Sequence, residues 1–316
     1  MRPFWYAALD APVLACAATV PSAAREGLLL EKRTQSLLAL HVGMLVLGGT
    51  ALFAKLIDLP ALDITAWRSV FAAAALLLLL LVTGLDFRLR RWRDYAVVAG
   101  LGVLFALHWV TYFHAMQVST IAVGIVALFT FPVITVFLEP LVQGGRPRRA
   151  DIAGALLALF GVYLMVPGFS LDSEVTLGVC WGVVSAVLYA TRNVLQRQYF
   201  RHYPGKVAIF WQILVVWLLT MPFTSGEALS LGWPQWALII LLGVVFTALP
   251  HTLFANSLRH FQATTVSLIN CLQVFYAVAL AAVVLHEIPE LTTVAGGLLI
   301  IGAAVWESLH ALRRPA

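Results

Sequence analysis

The 316-residue chain reads as an all-α polytopic membrane protein, with ten transmembrane helices arranged as two inverted five-helix repeats. Three observations predict this. Apolar residues make up 61% of the chain and charged residues 11%, with a mean hydropathy of +0.92, against about 45–50% and roughly 25% in soluble domains. A soluble core of this length cannot bury so much apolar surface, which argues strongly against a soluble enzyme. The apolar runs are also continuous, as in 76–82 and 238–245, whereas a barrel strand would alternate. Finally, the loop charges change sign from one loop to the next.

A hydrocarbon core of about 30 Å takes roughly 20 apolar residues per helix. Polar, Pro and Gly punctuation places spans near 36–54, 63–83, 94–114, 119–140, 150–167, 175–196, 205–223, 234–254, 262–285 and 290–310. The first 35 residues are read as a loosely ordered cytoplasmic extension rather than a signal peptide, because only Arg2 supplies a positive leading region. Residues 311–316 form a cytoplasmic tail. Arg88, Arg90, Arg91 and Arg93 follow the second span, Arg146, Arg148 and Arg149 the fourth, and Arg197, Arg201 and Lys206 the sixth. Arg259 follows the eighth, and Arg313 and Arg314 close the chain. The intervening loops carry Asp58, Asp63, Asp172, Glu174, Glu227, Glu287 and Glu290, with Lys55 the only basic residue among them. Lys and Arg accumulate on the cytoplasmic side of short loops, so both termini are expected inside. The net charge of +5 follows from this topology and implies no nucleic-acid partner. Cys16, Cys180 and Cys271 form no CxxC pair and suggest neither a disulfide framework nor a zinc site. No cofactor is expected.

Laying Trp109–Gly154 over His251–Gly296 matches Tyr112 with Phe254, Met116 with Leu258, Val136 with Val278 and Leu138 with Leu280. Each segment leads through a polar loop into a Gly-containing helix, Gly154 to Gly161 in one and Gly296 to Gly302 in the other. The loop is basic in the first copy, Arg146-Pro147-Arg148-Arg149, and acidic in the second, Glu287-Ile288-Pro289-Glu290. Five spans per copy is an odd number, so the second copy inserts upside down and its charge bias reverses. The repeats are placed at 36–167 and 175–310.

Several residues carry a family resemblance. They are Ala66-Trp67-Arg68-Ser69-Val70-Phe71 opening the second span, Pro132-Val133 midway through the fourth, His286-Glu287 after the ninth, and the Gly-spaced last helix of each half. Over residues 37–310 the chain resembles the EamA-type carriers of the drug/metabolite transporter superfamily. It departs at Gly145-Arg146, where the first loop lacks the glutamate of the second, and at Val274, which stands where the first half has Pro132. The resemblance implies a carrier of amino acids and related metabolites, usually in the efflux direction.

Ionisable and amide groups inside a membrane are costly, so each is a candidate for function beside a structural explanation. Arg68 suits an anionic cargo group such as a carboxylate. Alternatively it is a structural cation satisfied by helix-end carbonyls or by Asp63, a reading favoured because the resemblance makes an arginine here a family feature. His108, Trp109, Tyr112 and His114 form a polar aromatic group on the third span, with His108 and Tyr112 one turn apart on the same face. His108 is the deeper cavity candidate, whereas Trp109, Tyr112 and His114 also fit an interfacial aromatic belt. Trp181, Ser185 and Tyr189 share a face of the sixth span, with Arg192 read as a snorkelling residue and Gly178 and Gly182 as packing positions. Ser267, Asn270 and Gln273 step along the ninth span. Such a stripe is expected to face the bundle interior, for cargo or for interhelical bonding. Thr130, Pro132 and Thr135 answer from the fourth, where Pro132 breaks the helix and frees a carbonyl. Glu139, with His108 and His114, is a candidate for proton coupling, although an interfacial place beside Arg146 is favoured.

The expected function is a secondary carrier moving a small organic metabolite across a bacterial inner membrane by alternating access. Its partners are that substrate and membrane lipid, and a homodimer is left open. Only one arginine is read as lying well inside the spans, which suits a highly phosphorylated cargo poorly. A membrane-embedded enzyme is disfavoured because no nucleophile–base pair, acid pair or metal cluster assembles, and neither HExxH, GxSxG nor a P-loop occurs. A non-transporting sensor or scaffold is the alternative from another class.

Overall fold

Proline, glycine and polar residues cut the apolar chain into helices, and among the described residues there is no strand. The computed structural model describes residues 22–119, 121–164, 173–285 and 291–313. In order, the helices are α1 (Ser22–Gly48), α2 (Phe53–Leu56), α3 (Ala61–Val82), α4 (Trp92–Val118), α5 (Ile121–Leu128), α6 (Phe131–Gln143) and α7 (Arg149–Leu164). They continue as α8 (Ser173–Phe200), α9 (Gly205–Thr220), α10 (Trp233–Gly243), α11 (Leu249–His260), α12 (Ala263–Asn270), α13 (Leu272–Leu285) and α14 (Leu291–Arg313). Six helical runs among the described residues are long and apolar enough to cross a membrane: Ala61–Val82, Trp92–Val118, Val123–Gln143, Glu174–Phe200, Gly205–Phe223 and Trp233–His260.

Two expectations about element boundaries change. The first helix begins at Ser22, well before residue 36; the rest of the expected extension, residues 1–21, lies outside the described residues, as do His286-Glu287, Glu290 and part of the tail. The fourth span is interrupted near Pro132 as its sequence suggests, and two further spans are interrupted without that expectation. Between α5 and α6, Phe129 and Thr130 form a turn, and Pro132 falls in the first turn of α6, where a missing N–H is tolerated. Between α12 and α13 the helix is interrupted at Cys271, whose N–H turns back to Leu268, and no proline is needed. Between α10 and α11, Val244–Ala248 winds as a π-helix. There Pro250 has no N–H to offer the carbonyl of Phe246; the Thr50 hydroxyl reaches that carbonyl at 3.4 Å, and the Thr247 hydroxyl bonds back to Leu242 at 2.7 Å.

The helices pack along small-residue faces. α4 lies along α8, and α9 lies against both α3 and α4; α7 packs on α14, and α1 on α11 and α13. Gly182 of α8 meets the Ala127 methyl of α5, and Gly178 meets Ser119, so a side chain at either would collide with the neighbour. This is the close approach that small residues permit between apolar helices. It draws α8, α4 and α5 together around the interior groups described next.

Candidate functional site

The interrupted stretches converge with α3, α4 and α8 on a buried cavity of about 30 Å³. A water needs about 10–15 Å³ on this scale, so in this conformation the space suits water rather than a metabolite. Its wall is aromatic and apolar, with Leu47, Phe113, Leu128, Phe129 and Phe131, and it carries a polar set: Thr50, Arg68, His108, Trp109, Tyr112, Tyr189, His251, Asn270 and Gln273.

Arg68 of α3 is the charged member and is only 1% exposed. Its guanidinium carbon sits 3.8 Å from the Trp109 ring centroid and 4.8 Å from that of Phe113. Its Nε and Nη2 have no hydrogen-bond partner. The expected structural partner is engaged elsewhere, because Asp63 accepts the backbone N–H of Ser225 at 3.1 Å and also its hydroxyl. A desolvated guanidinium lying on an indole face gains about 2 kcal/mol, while burying an ion costs several. The aromatic contacts therefore offset only part of that cost.

His108 is held by its own helix neighbour across the interface. The Ser185 hydroxyl donates to the His108 carbonyl at 2.9 Å and lies 2.8 Å from His108 Nδ1. With that hydroxyl proton committed, Nδ1 is assigned as the donor and Nε2 as an acceptor. The imidazole stacks on Tyr189 at 4.4 Å. The Tyr189 hydroxyl accepts from Asn270 Nδ2 at 3.3 Å, which leaves Asn270 Oδ1 without a partner. Gln273 Nε2 donates to the carbonyl of Leu47 at 3.3 Å. The Tyr112 hydroxyl and His251 Nδ1 are also buried without partners. Orphaned buried polar atoms are rare in folded proteins. Five such atoms lie on residues lining this space, with donors on Arg68 and Tyr112 and an acceptor on Asn270 among them.

The structure brings Arg68, His108, Trp109, Tyr112, Tyr189, Asn270 and Gln273 to one cavity. It does not bring the other candidates there. Ser185 is fully buried behind His108 as its positioning partner. Trp181 is 37% exposed on the outer face of α8, its ring edge-on to His114 at 5.4 Å, because Gly178 and Gly182 occupy the inward side of that turn. Ser267 approaches Thr135 at 3.4 Å, and Thr130 and Thr135 bond back to their own helices at 2.7 Å and 2.8 Å.

Glu139 pairs with Arg197 rather than with Arg146. It is buried and accepts the backbone N–H groups of Ala263 at 2.8 Å and Thr264 at 2.7 Å, capping α12 from α6. The first N–H groups of a helix have no intrahelical partner, and an anion satisfies them. Arg197 pairs with it at 3.5 Å and donates to the carbonyls of Leu258, at 3.0 Å, and Phe261.

Two residues were misplaced or missed in the sequence. Arg192 does not snorkel but is fully buried on Phe105, at 4.2 Å from the ring centroid. His251 was available as the partner of Trp109 in the repeat overlay, and the π-turn before Pro250 carries it to the cavity.

Comparison with known proteins follows from this geometry. The EamA-like transporter family matches the chain twice, over residues 34–166 and 176–308. The pseudopaline exporter CntI of Pseudomonas aeruginosa is 27% identical over 248 residues, covering 78% of this chain and 86% of that one. The aromatic amino acid exporter YddG of Ancylobacter novellus is 26% identical over 154 residues, 46% of this chain and 52% of that one. A probable biotin transporter of Pseudomonas aeruginosa is 24% identical, covering 73% and 86%. A solved crystal structure aligns with a TM-score of 0.72 at 20% identity, over 89% of this chain and 98% of that one, which shows a shared fold.

Proposed function

The chain belongs to the EamA-like transporter family, and from that premise we propose that it is a secondary carrier exporting a small carboxylate-bearing metabolite, an amino acid or related compound. The observation that carries this reading is the buried Arg68 guanidinium, unpaired and lying on Trp109 in an aromatic-lined cavity. A cargo carboxylate completes its fork and the Tyr112 hydroxyl. A cargo ammonium or amide donates to Asn270 Oδ1, and an apolar body stacks against Tyr189 and Phe131. The names of relatives exporting an aromatic amino acid and pseudopaline support the direction and the class.

The protein works as two inverted five-helix repeats that rock about this cavity, in an inner membrane, with both termini cytoplasmic. Contacts between segments far apart in sequence, Asp63 with Ser225 and Glu139 with Ala263, Thr264 and Arg197, support such a cycle. Opening toward either side breaks one set while the other holds. Of the residues considered for proton coupling, His108 reaches the cavity, whereas Glu139 is committed to α12 and His114 to Trp181.

Uptake of a labelled amino-acid and metabolite panel into proteoliposomes, with and without an imposed pH gradient, tests this. Saturable uptake that falls at least tenfold in Arg68→Met is expected. Wild-type rates in folded Arg68→Met and Asn270→Ala variants would remove the site assignment, and no saturable uptake of any cargo by folded wild type would remove the carrier reading.

A further inference from the structure

Two buried arginines close on one aromatic pair. Arg68 of α3 lies 3.8 Å from the Trp109 ring, Trp109 is 4.1 Å from Phe105 on the same helix, and Arg192 of α8 lies 4.2 Å from Phe105. Arg192 is aimed rather than neutralised. Its Nε donates to Gln212 Oε1 at 2.9 Å and its Nη1 to Asn193 Oδ1 at 3.0 Å, both neutral amides. Gln212 is itself locked, because its Nε2 is shared between Gln196 Oε1 at 2.7 Å and the Ala208 carbonyl at 2.9 Å. That leaves the Arg192 charge uncancelled and its Nη2 without a partner in a residue with no exposed surface.

Arg197 has Glu139 as its counter-charge, whereas among the described residues neither Arg68 nor Arg192 pairs with a carboxylate. The second cation stands behind the cavity wall and touches it through the wall's own residues. The Tyr189 hydroxyl that accepts from Asn270 lies beside Asn193, and the ring of Phe105 stands edge-on to His251 at 5.0 Å. One carboxylate bound at Arg68 would leave a second guanidinium, packed on the other ring of the same aromatic pair, buried and uncompensated. A buried charge without a counter-charge is unfavourable, and an anion held by a free guanidinium edge is the direct remedy.

We propose that Arg192 is a second anion-binding position, so that the cargo carries two acidic groups on an apolar body, one held by Arg68 and the other by Arg192 across the Phe105–Trp109 pair. This rests on the carrier reading above and narrows its substrate class. A cargo with two carboxylates gives each guanidinium a counter-charge, whereas one with a single carboxylate serves only one.

The test compares labelled norleucine, with one carboxylate, against 2-aminoadipate and 2-aminosuberate, with two, in proteoliposomes of wild type, Arg192→Gln, Arg192→Lys and Arg68→Met. Wild type is expected to prefer a dicarboxylate by about tenfold in apparent affinity. Arg192→Gln brings that ratio close to one while norleucine uptake persists, Arg192→Lys keeps part of the preference, and Arg68→Met loses both substrates. Wild type that takes norleucine as well as either dicarboxylate overturns the second position and leaves the carrier reading standing. This comparison needs no variant, so it decides the matter even if Arg192→Gln fails to fold. A folded Arg192→Gln variant that keeps the full preference also overturns it. Wild type that transports none of the three counts against the carboxylate reading of the Arg68 site itself.

Discussion

Glu139 with Arg197 and Arg68 with Tyr112 and Asn270 are two buried polar clusters, and they are completed in opposite ways. At Glu139 both carboxylate oxygens accept hydrogen bonds, from Ala263, Thr264 and Gln143, and Arg197 supplies the countercharge while holding the carbonyls of Leu258 and Phe261. Arg197 Nε, 3.5 Å from the carboxylate, is the atom of this pair left without a hydrogen bond, and its charge is still met by Glu139. At Arg68 two guanidinium nitrogens, the Tyr112 hydroxyl, His251 Nδ1 and Asn270 Oδ1 all lack partners around one cavity. The difference teaches that burial of charge does not by itself mark a binding site in this fold. The cluster whose charges are paired ties α6, α8 and α12 together, and the other holds a guanidinium with no counter-charge among the described residues.

Removing a member of the satisfied cluster should cost the most stability. Glu139→Ala is expected to lose about 3–5 kcal/mol, the usual penalty for stranding one half of a buried pair, read as a fall in thermal or denaturant midpoint of protein in detergent. Arg68→Met should do the reverse. Relief of a desolvated, unpaired charge offsets the lost cation–π contacts of about 2 kcal/mol, so the variant is expected to be at least as stable as wild type while transport falls. If Arg68→Met were as destabilised as Glu139→Ala, the contrast between the clusters would fail.

Tyr112→Phe sharpens the comparison at the level of one atom. Its hydroxyl has no protein partner, so stability should be unchanged, while apparent cargo affinity weakens by about 1.5–3 kcal/mol if the hydroxyl serves a charged group. Kinetics of uptake alongside a melting curve separate the two effects. The smallest effect is expected at Trp181→Leu. That ring lies on the exposed face of α8 against His114, and uptake should stay within about twofold of wild type, consistent with an energetic change below ~0.5 kcal/mol.

Much of the architecture was legible in the chain because it depends on local properties. Continuous apolar runs and their polar punctuation anticipate the helices, since length and hydropathy are read within one segment. Pro132 announces an interruption next to it, whereas the break at Cys271 has no such mark and depends on how α12 and α13 meet their neighbours. The Asn270 and Gln273 stripe was readable for the same reason, its spacing lying within a single helix. Trp181 shows the limit of that method. Its spacing with Ser185 and Tyr189 suggests a common face, but glycine contacts rotate the helix so that Ser185 and Tyr189 turn inward and Trp181 outward.

The sequence by itself determined the solvent this protein lives in, the segments that become helices and which residue types are available for chemistry, because these follow from composition and near-neighbour patterns. Only the tertiary structure decided which charges are satisfied. Asp63 shares a helix with Arg68 yet bonds Ser225 of a distant loop, and Arg192 turns inward to Gln212 and Phe105. The fate of a buried charge depends on distance to groups remote in the chain, and close packing of helices alone sets that distance.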